Sequence, residues 1–145
     1  MANQDARAAL IDGLNTDLAH EYQAIISYLV HSQLITGPNR PELSRFLDSE
    51  VADELGHARF LANKIVALGG TPTTRPAEVR LGASNREMFE IALQAERDTI
   101  ERYTQRIKQA DAAGEIGLRV DLENIVAEET RHRDDLERIL RDWKE

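Results

Sequence analysis

A glutamate stands where an apolar residue belongs, and it does so four times. Along this 145-residue chain each of four apolar stripes has one core position filled by Glu. Glu21 lies among Leu14, Leu18, Ile25, Tyr28 and Ile35, and Glu54 among Leu47, Leu61 and Leu68. Glu96 lies between Phe89 and Tyr103, with Ala110 beyond, and Glu129 between Leu122 and Leu136. Steps of seven with neighbours three and four apart are those of helices burying one face. A carboxylate inside such a stripe must be paired. Two of the four open the phrases Glu54-Leu55-Gly56-His57 and Glu129-Thr130-Arg131-His132, and residues three apart share one helix face. Glu21 precedes Glu54 by the same interval at which Glu96 precedes Glu129. Tyr28 and Tyr103 each follow their glutamate by seven. The chain thus reads as an approximate internal duplication.

The connections complete an all-α fold. A first helix is expected over about 5–35, with a second apolar strip at Ile26, Leu29, Val30 and Leu34 that suggests a partner subunit. Gly37-Pro38-Asn39-Arg40-Pro41 is a turn that places Pro41 at the first helical position of a second, antiparallel helix. That helix ends at Gly69-Gly70, the residue type that accepts a left-handed cap. Residues 71–83, with two prolines and little periodicity, form a long surface connection to a third helix parallel to the second. Ser84-Asn85-Arg86-Glu87 reads as a capping box. A tight turn at Ala113-Gly114 leads to a fourth helix reaching about Trp143, which is expected to pack the end of the bundle. One domain over 1–145 is the expectation for this length.

Four helices then aim four carboxylates at one interior, and two of them add an imidazole. Four buried negative charges need a positive partner, and no Lys or Arg lies on these stripes. Two divalent metal ions would balance them, with one histidine nitrogen for each ion.

These six residues resemble the ligand set of the ferritin-like superfamily, a glutamate from each of two helices and Glu-x-x-His from the other two, most closely in its bacterioferritin branch. The resemblance spans Leu14 to Leu140. It implies a four-helix ferritin-like bundle with one long crossover between the second and third helices, and a di-iron centre. Glu54 and Glu129 would bridge both irons, Glu21 and His57 would complete one, and Glu96 and His132 the other. Tyr28 and Tyr103 fall where the family has tyrosines that reach the ligand carboxylates. Glu50 and Asp53 resemble the carboxylates that hold a further iron on the inner cavity wall. Bacterioferritins bind haem through a methionine directly after the first bridging glutamate; Leu55 occupies that place, so no haem is expected. Thr99 replaces the extra glutamate of rubrerythrins. The stretch from Arg133 to Glu145 is too short for the fifth helix that closes the channels of the family's large shell. His20 and His31 match no ligand position and read as surface histidines.

The expected function is that of a ferroxidase oxidising Fe²⁺ with O₂ or H₂O₂ in iron storage or detoxification. Alternatives are a peroxide-reducing or manganese catalase-like enzyme, a zinc-loaded site, or a metal-binding or structural bundle without turnover. A homo-oligomer, at least a dimer through the faces of the first two helices, is expected. A net charge of −8 without a basic tail argues against nucleic acid. The absence of cysteine removes iron–sulfur and thiolate–zinc sites. No apolar run is long enough for a membrane or a signal core, so a cytoplasmic location is expected.

Overall fold

The computed structural model describes residues 2–144. Its secondary structure is four α-helices: α1 (Ala2–Leu34), α2 (Arg40–Ala67), α3 (Asn85–Ala112) and α4 (Ile116–Arg141). No helix among the described residues is long and apolar enough to cross a membrane.

Backbone packing is closest between α1 and α2, α3 and α4, and α1 and α3. The apolar stripes explain this, because Leu10, Leu14, Leu18, Leu47, Leu61, Phe89, Leu122 and Leu136 are almost wholly buried. Each contributes about 1.5–3 kcal/mol relative to an exposed side chain. These residues do not form one continuous core. One cluster gathers Leu14, Leu18, Leu61, Tyr103 and Leu122; the other gathers Tyr28, Leu47, Phe89, Leu93 and Leu136. The glutamate positions fall between the two. Phe46 stacks on Phe89 with centroids 5.8 Å apart and Trp143 packs tilted against the same ring at 5.4 Å, so Trp143 closes one end of the bundle as expected.

Glycine is required at the turns that end α2 and α3. Gly69 (φ 94°) and Gly114 (φ 74°) follow α2 and α3 in the left-handed region, where a Cβ is disfavoured. The next amides, Gly70 N–H and Glu115 N–H, donate back to Ile65 and Ala110 carbonyls at 2.9 Å, which satisfies the last turn of each helix. At the start of α3, Ser84 Oγ accepts from Glu87 N–H at 3.1 Å. Only half of the expected capping box forms, because the Glu87 carboxylate turns to Arg80 at 3.1 Å.

Residues 71–83 run along α1 from Asn15 to its C-terminal end and are hydrogen-bonded to it at intervals. Asn15 bonds the Thr71 carbonyl and the Thr73 amide, and Tyr22 donates to the Thr73 carbonyl. Ala77 N–H donates to the Ala19 carbonyl at 2.9 Å. Gly82 N–H donates to His31 Nε2 at 3.1 Å, and Asn85 bonds both backbone groups of Thr36. The connection therefore carries the chain to the far end of α1, and α3 starts parallel to α2. It also corrects the expectation for His31, which is 1% exposed because this strap covers it. His20 is half-buried, its Nδ1 near the Thr16 carbonyl.

Candidate metal centre

All six predicted ligand residues meet in one buried layer. Glu21, Glu54, His57, Glu96 and Glu129 are each at least nine-tenths buried, and His132 is half-buried. The heptad register of four helices brings them together, with the i, i+3 spacing setting each histidine beside its glutamate. Both rings turn Nδ1 inward. His57 Nδ1 lies 3.2 Å from Glu129 Oε1 and 3.8 Å from both Glu21 Oε2 and Glu54 Oε2. His132 Nδ1 lies 3.8 Å from Glu96 Oε1 and 3.9 Å from Glu129 Oε2. Glu129 thus offers one oxygen to each ring.

Two ligand groups emerge within this layer. Glu21, Glu54 and His57 offer atoms within 4.8 Å of one another, and so do Glu50, Glu54, Glu96 and His132. Glu54 belongs to both. Each ligand residue also keeps a buried atom without a hydrogen-bond partner: Glu21 Oε2, Glu54 Oε1, Glu96 Oε2, Glu129 Oε1 and the two Nδ1 atoms. Buried polar atoms are ordinarily satisfied, so a layer of converging orphans fits a cation pair.

The tyrosines reach across the duplication. Tyr28 OH of α1 donates to Glu96 Oε1 of α3 at 2.8 Å, and Tyr103 OH of α3 donates to Glu21 Oε1 of α1 at 2.5 Å. Burial, and then the charge of the partner carboxylate, pushes both hydroxyls well above their usual range. They remain donors, and each occupies one oxygen of its carboxylate while leaving the other free.

Protonation shows how the layer manages its charge. Burial and then the Glu21 charge push Glu54 well above the usual carboxylate range. Burial also acts to raise Glu21, but the neighbouring Glu54 and His57 and the Tyr103 hydroxyl outweigh it and hold Glu21 below that range. Glu96 is raised, chiefly by burial. Burial opposes charge on both histidines, yet Glu21 and Glu128 raise His57, and Glu50 and Glu96 raise His132 to about 10. The raised groups hold their protons more tightly than usual, and a metal that takes their place competes with those protons.

Sequence reasoning paired Glu50 with Asp53, and the structure divides them across one ring. Glu50 is 7% exposed and sits 3.0 Å from His132 Nδ1, inside the layer. Asp53 is exposed and faces His132 Nε2 at 3.6 Å. Glu128, missed in the sequence, matches Asp53 in the other half, with Oε2 at 3.2 Å from His57 Nε2. Its signal was its place immediately before Glu129, just as Asp53 immediately precedes Glu54. Also missed was a buried ion pair one turn from the ligands. Arg106 donates through Nε and Nη2 to Asp17 Oδ2 and Oδ1 at 2.8 and 3.1 Å. Asp17 lies one helical turn before Glu21 on the same stripe, the signal that identified Glu21.

Comparison with known proteins agrees with this geometry. The pattern of the Ferritin family, described as a ferritin-like domain, matches residues 11–145. The bacterioferritin of Streptomyces coelicolor is 33% identical over 132 residues, covering 90% of this chain and 79% of that protein. A crystal structure described as a ferritin-like, diiron-carboxylate protein from Bacillus anthracis is 47% identical with a TM-score of 0.92, covering 93% of this chain and 97% of that one. The bacterioferritin of Desulfovibrio desulfuricans, described with its diiron site in different catalytic states, is 30% identical with a TM-score of 0.89. That match covers 97% of this chain and 82% of that one.

Proposed function

Because the chain belongs to the family of ferritin-like domains, we propose that its buried layer binds a pair of Fe²⁺ ions and oxidises them, a ferroxidase serving iron storage or detoxification. The observation that carries this reading is the set of partnerless ligand atoms on Glu21, Glu54, His57, Glu96, Glu129 and His132. Glu21 and His57 would hold one ion and Glu96 and His132 the other, with Glu54 and Glu129 available to both. Oxygen and nitrogen donors of this mix suit iron, and they also accept manganese or zinc. When bound, a ferrous pair supplies two electrons, enough to reduce O₂ to H₂O₂ or H₂O₂ to water.

The chain's own residues prepare the site. Tyr28 and Tyr103 orient Glu96 and Glu21 through their hydroxyls. Asp53 and Glu128 stand at the outer nitrogens of the two rings and keep Nδ1 turned inward, an arrangement that strengthens histidine ligands. Metal binding would compete with any proton held on Glu54, His57 or His132. Asp53, Glu128 and His132 also offer three atoms within 4.8 Å of one another on the outer side. The secondary iron station expected at Glu50 and Asp53 is therefore proposed at Asp53 and Glu128 instead.

Leu55, 46% exposed on α2, has no atom to ligate haem, and the haem-free reading rests on that residue. Leu29 and Leu34, 47% and 43% exposed, with Leu55 form the apolar surface through which copies of the chain are proposed to associate. A solution mass above the 16.3 kDa of one chain would support association. The functional test is aerobic Fe²⁺ oxidation followed by ferric absorbance. Turnover should be lost in Glu54→Ala and His57→Ala, and an unchanged rate in both would refute the ferroxidase reading. Running the assay with O₂ and with H₂O₂ identifies the oxidant.

A further inference from the structure

The duplication that repeats every ligand fails at a buried position beside the ligand layer. Counterparts are related by one constant interval: Glu21 with Glu96, Tyr28 with Tyr103, Glu54 with Glu129, His57 with His132. Asp53 and Glu128, beside the outer ring nitrogens, obey the same interval. Glu50 does not. Its counterpart is Ile125, a buried member of the apolar core with no ligand atom. Glu50 lies one helical turn before Glu54 on the same face of α2. It is 7% exposed, and its Oε2 has no hydrogen-bond partner although it approaches His132 Nδ1 to 3.0 Å. That nitrogen is the one turned into the ligand layer.

The consequence for the two halves is a difference in donor count. Around His57 the converging group is Glu21, Glu54 and His57; around His132 it is Glu50, Glu54, Glu96 and His132. One more carboxylate brings one more negative charge and one more oxygen to a buried cation. Hard divalent ions with room in their coordination respond to both by binding more tightly.

We propose that Glu50 is a seventh ligand, which makes the metal position beside His132 the tighter of two unequal positions. The proposal rests on the di-metal reading above and specifies how that centre fills. The His132 position takes the first ion and the His57 position the second, so at low metal supply the centre holds one ion. Because two electrons need two ions, the weaker His57 position sets the metal concentration at which oxidation starts.

The test is an anaerobic titration of metal-free protein with Co²⁺, read by its visible ligand-field absorbance, in wild type, Glu50→Gln and Glu50→Asp. Wild type should bind two Co²⁺ in resolved steps. Glu50→Gln should weaken the first step by at least about 10-fold and leave the second nearly unchanged, with Glu50→Asp between them. A Glu50 that only neutralises His132 predicts the opposite, since its removal frees the ring and leaves the first step unchanged or tighter; that result overturns the proposal. Equal steps in wild type overturn it as well. A wild type that binds no Co²⁺ pair refutes the di-metal reading itself. Circular dichroism of each variant confirms that the helices are intact. If Glu50→Gln does not fold, an unweakened first step in Glu50→Asp still overturns the proposal.

Discussion

Tyr28 and Tyr103 do the same work from opposite helices, but one turn beyond them the halves diverge. After Tyr103 comes Arg106, buried and bonded through two nitrogens to Asp17. After Tyr28 comes His31, buried and accepting a hydrogen bond from Gly82 N–H. The counterpart of Asp17 is Ala92, so the ion pair has no equivalent. Close approach of α1 and α3 makes room for it, because any Cβ on Gly13 would collide with the Arg106 guanidinium. The difference follows from topology. The strap 71–83 exists once and lies over α1, where its amide needs an acceptor. At the level of Asp17 the strap bonds Asn15 instead, and α1 and α3 tie directly to each other through Arg106. A metal pair would constrain the candidate ligands and their tyrosines in both halves, and the flanking layers answer to whatever covers them.

Mutations should expose this difference. The largest loss is expected from Arg106→Met, which leaves Asp17 buried without its partner; breaking such a pair costs about 3–5 kcal/mol. Urea unfolding of metal-free protein measures it, and adding Asp17→Leu should restore most of the loss. Gly13→Ala should cost about 1–3 kcal/mol by displacing the same guanidinium. Tyr28→Phe and Tyr103→Phe each remove a buried hydrogen bond to a carboxylate, worth about 1.5–3 kcal/mol. Their costs should agree closely if the ligand layer is truly duplicated, and a large disparity would break the comparison.

Another set of effects separates the two histidines by pH. His132 is raised to about 10 in the folded chain, from 6.5. Its contribution to metal-free stability is full below about pH 6.5 and is lost as pH rises to about 10. Burial lowers His31 below 6.5, so its contribution is full above that pH and is lost as pH falls through the folded value. Thermal melts should show His31→Gln flattening only the acid side of the profile, and His132→Gln only the alkaline side.

How much could be read in the sequence follows the same division. The six candidate ligands and both tyrosines were legible because Glu and His stand at positions where helix periodicity demands leucine. Helix ends were legible where glycine or proline made them so, at Gly69 and Gly114. His31 was not, because its burial depends on the path of the strap, which no local pattern encodes. Asp17 carried the same signal as Glu21 but sat between Leu14 and Leu18, where the stripe could be drawn without it. Glu50 and Asp53 looked alike on one helix, and only the arrival of His132 from α4 places one inside the layer and the other outside.

The most direct test is the metal stoichiometry of anaerobically loaded protein, measured by elemental analysis of wild type and a Glu54→Ala/Glu129→Ala double variant. Two Fe²⁺ bound per wild-type chain and none retained tightly by the variant is the result expected of a shared centre. A wild-type chain that holds one ion or none, or a variant that still holds two, would contradict it.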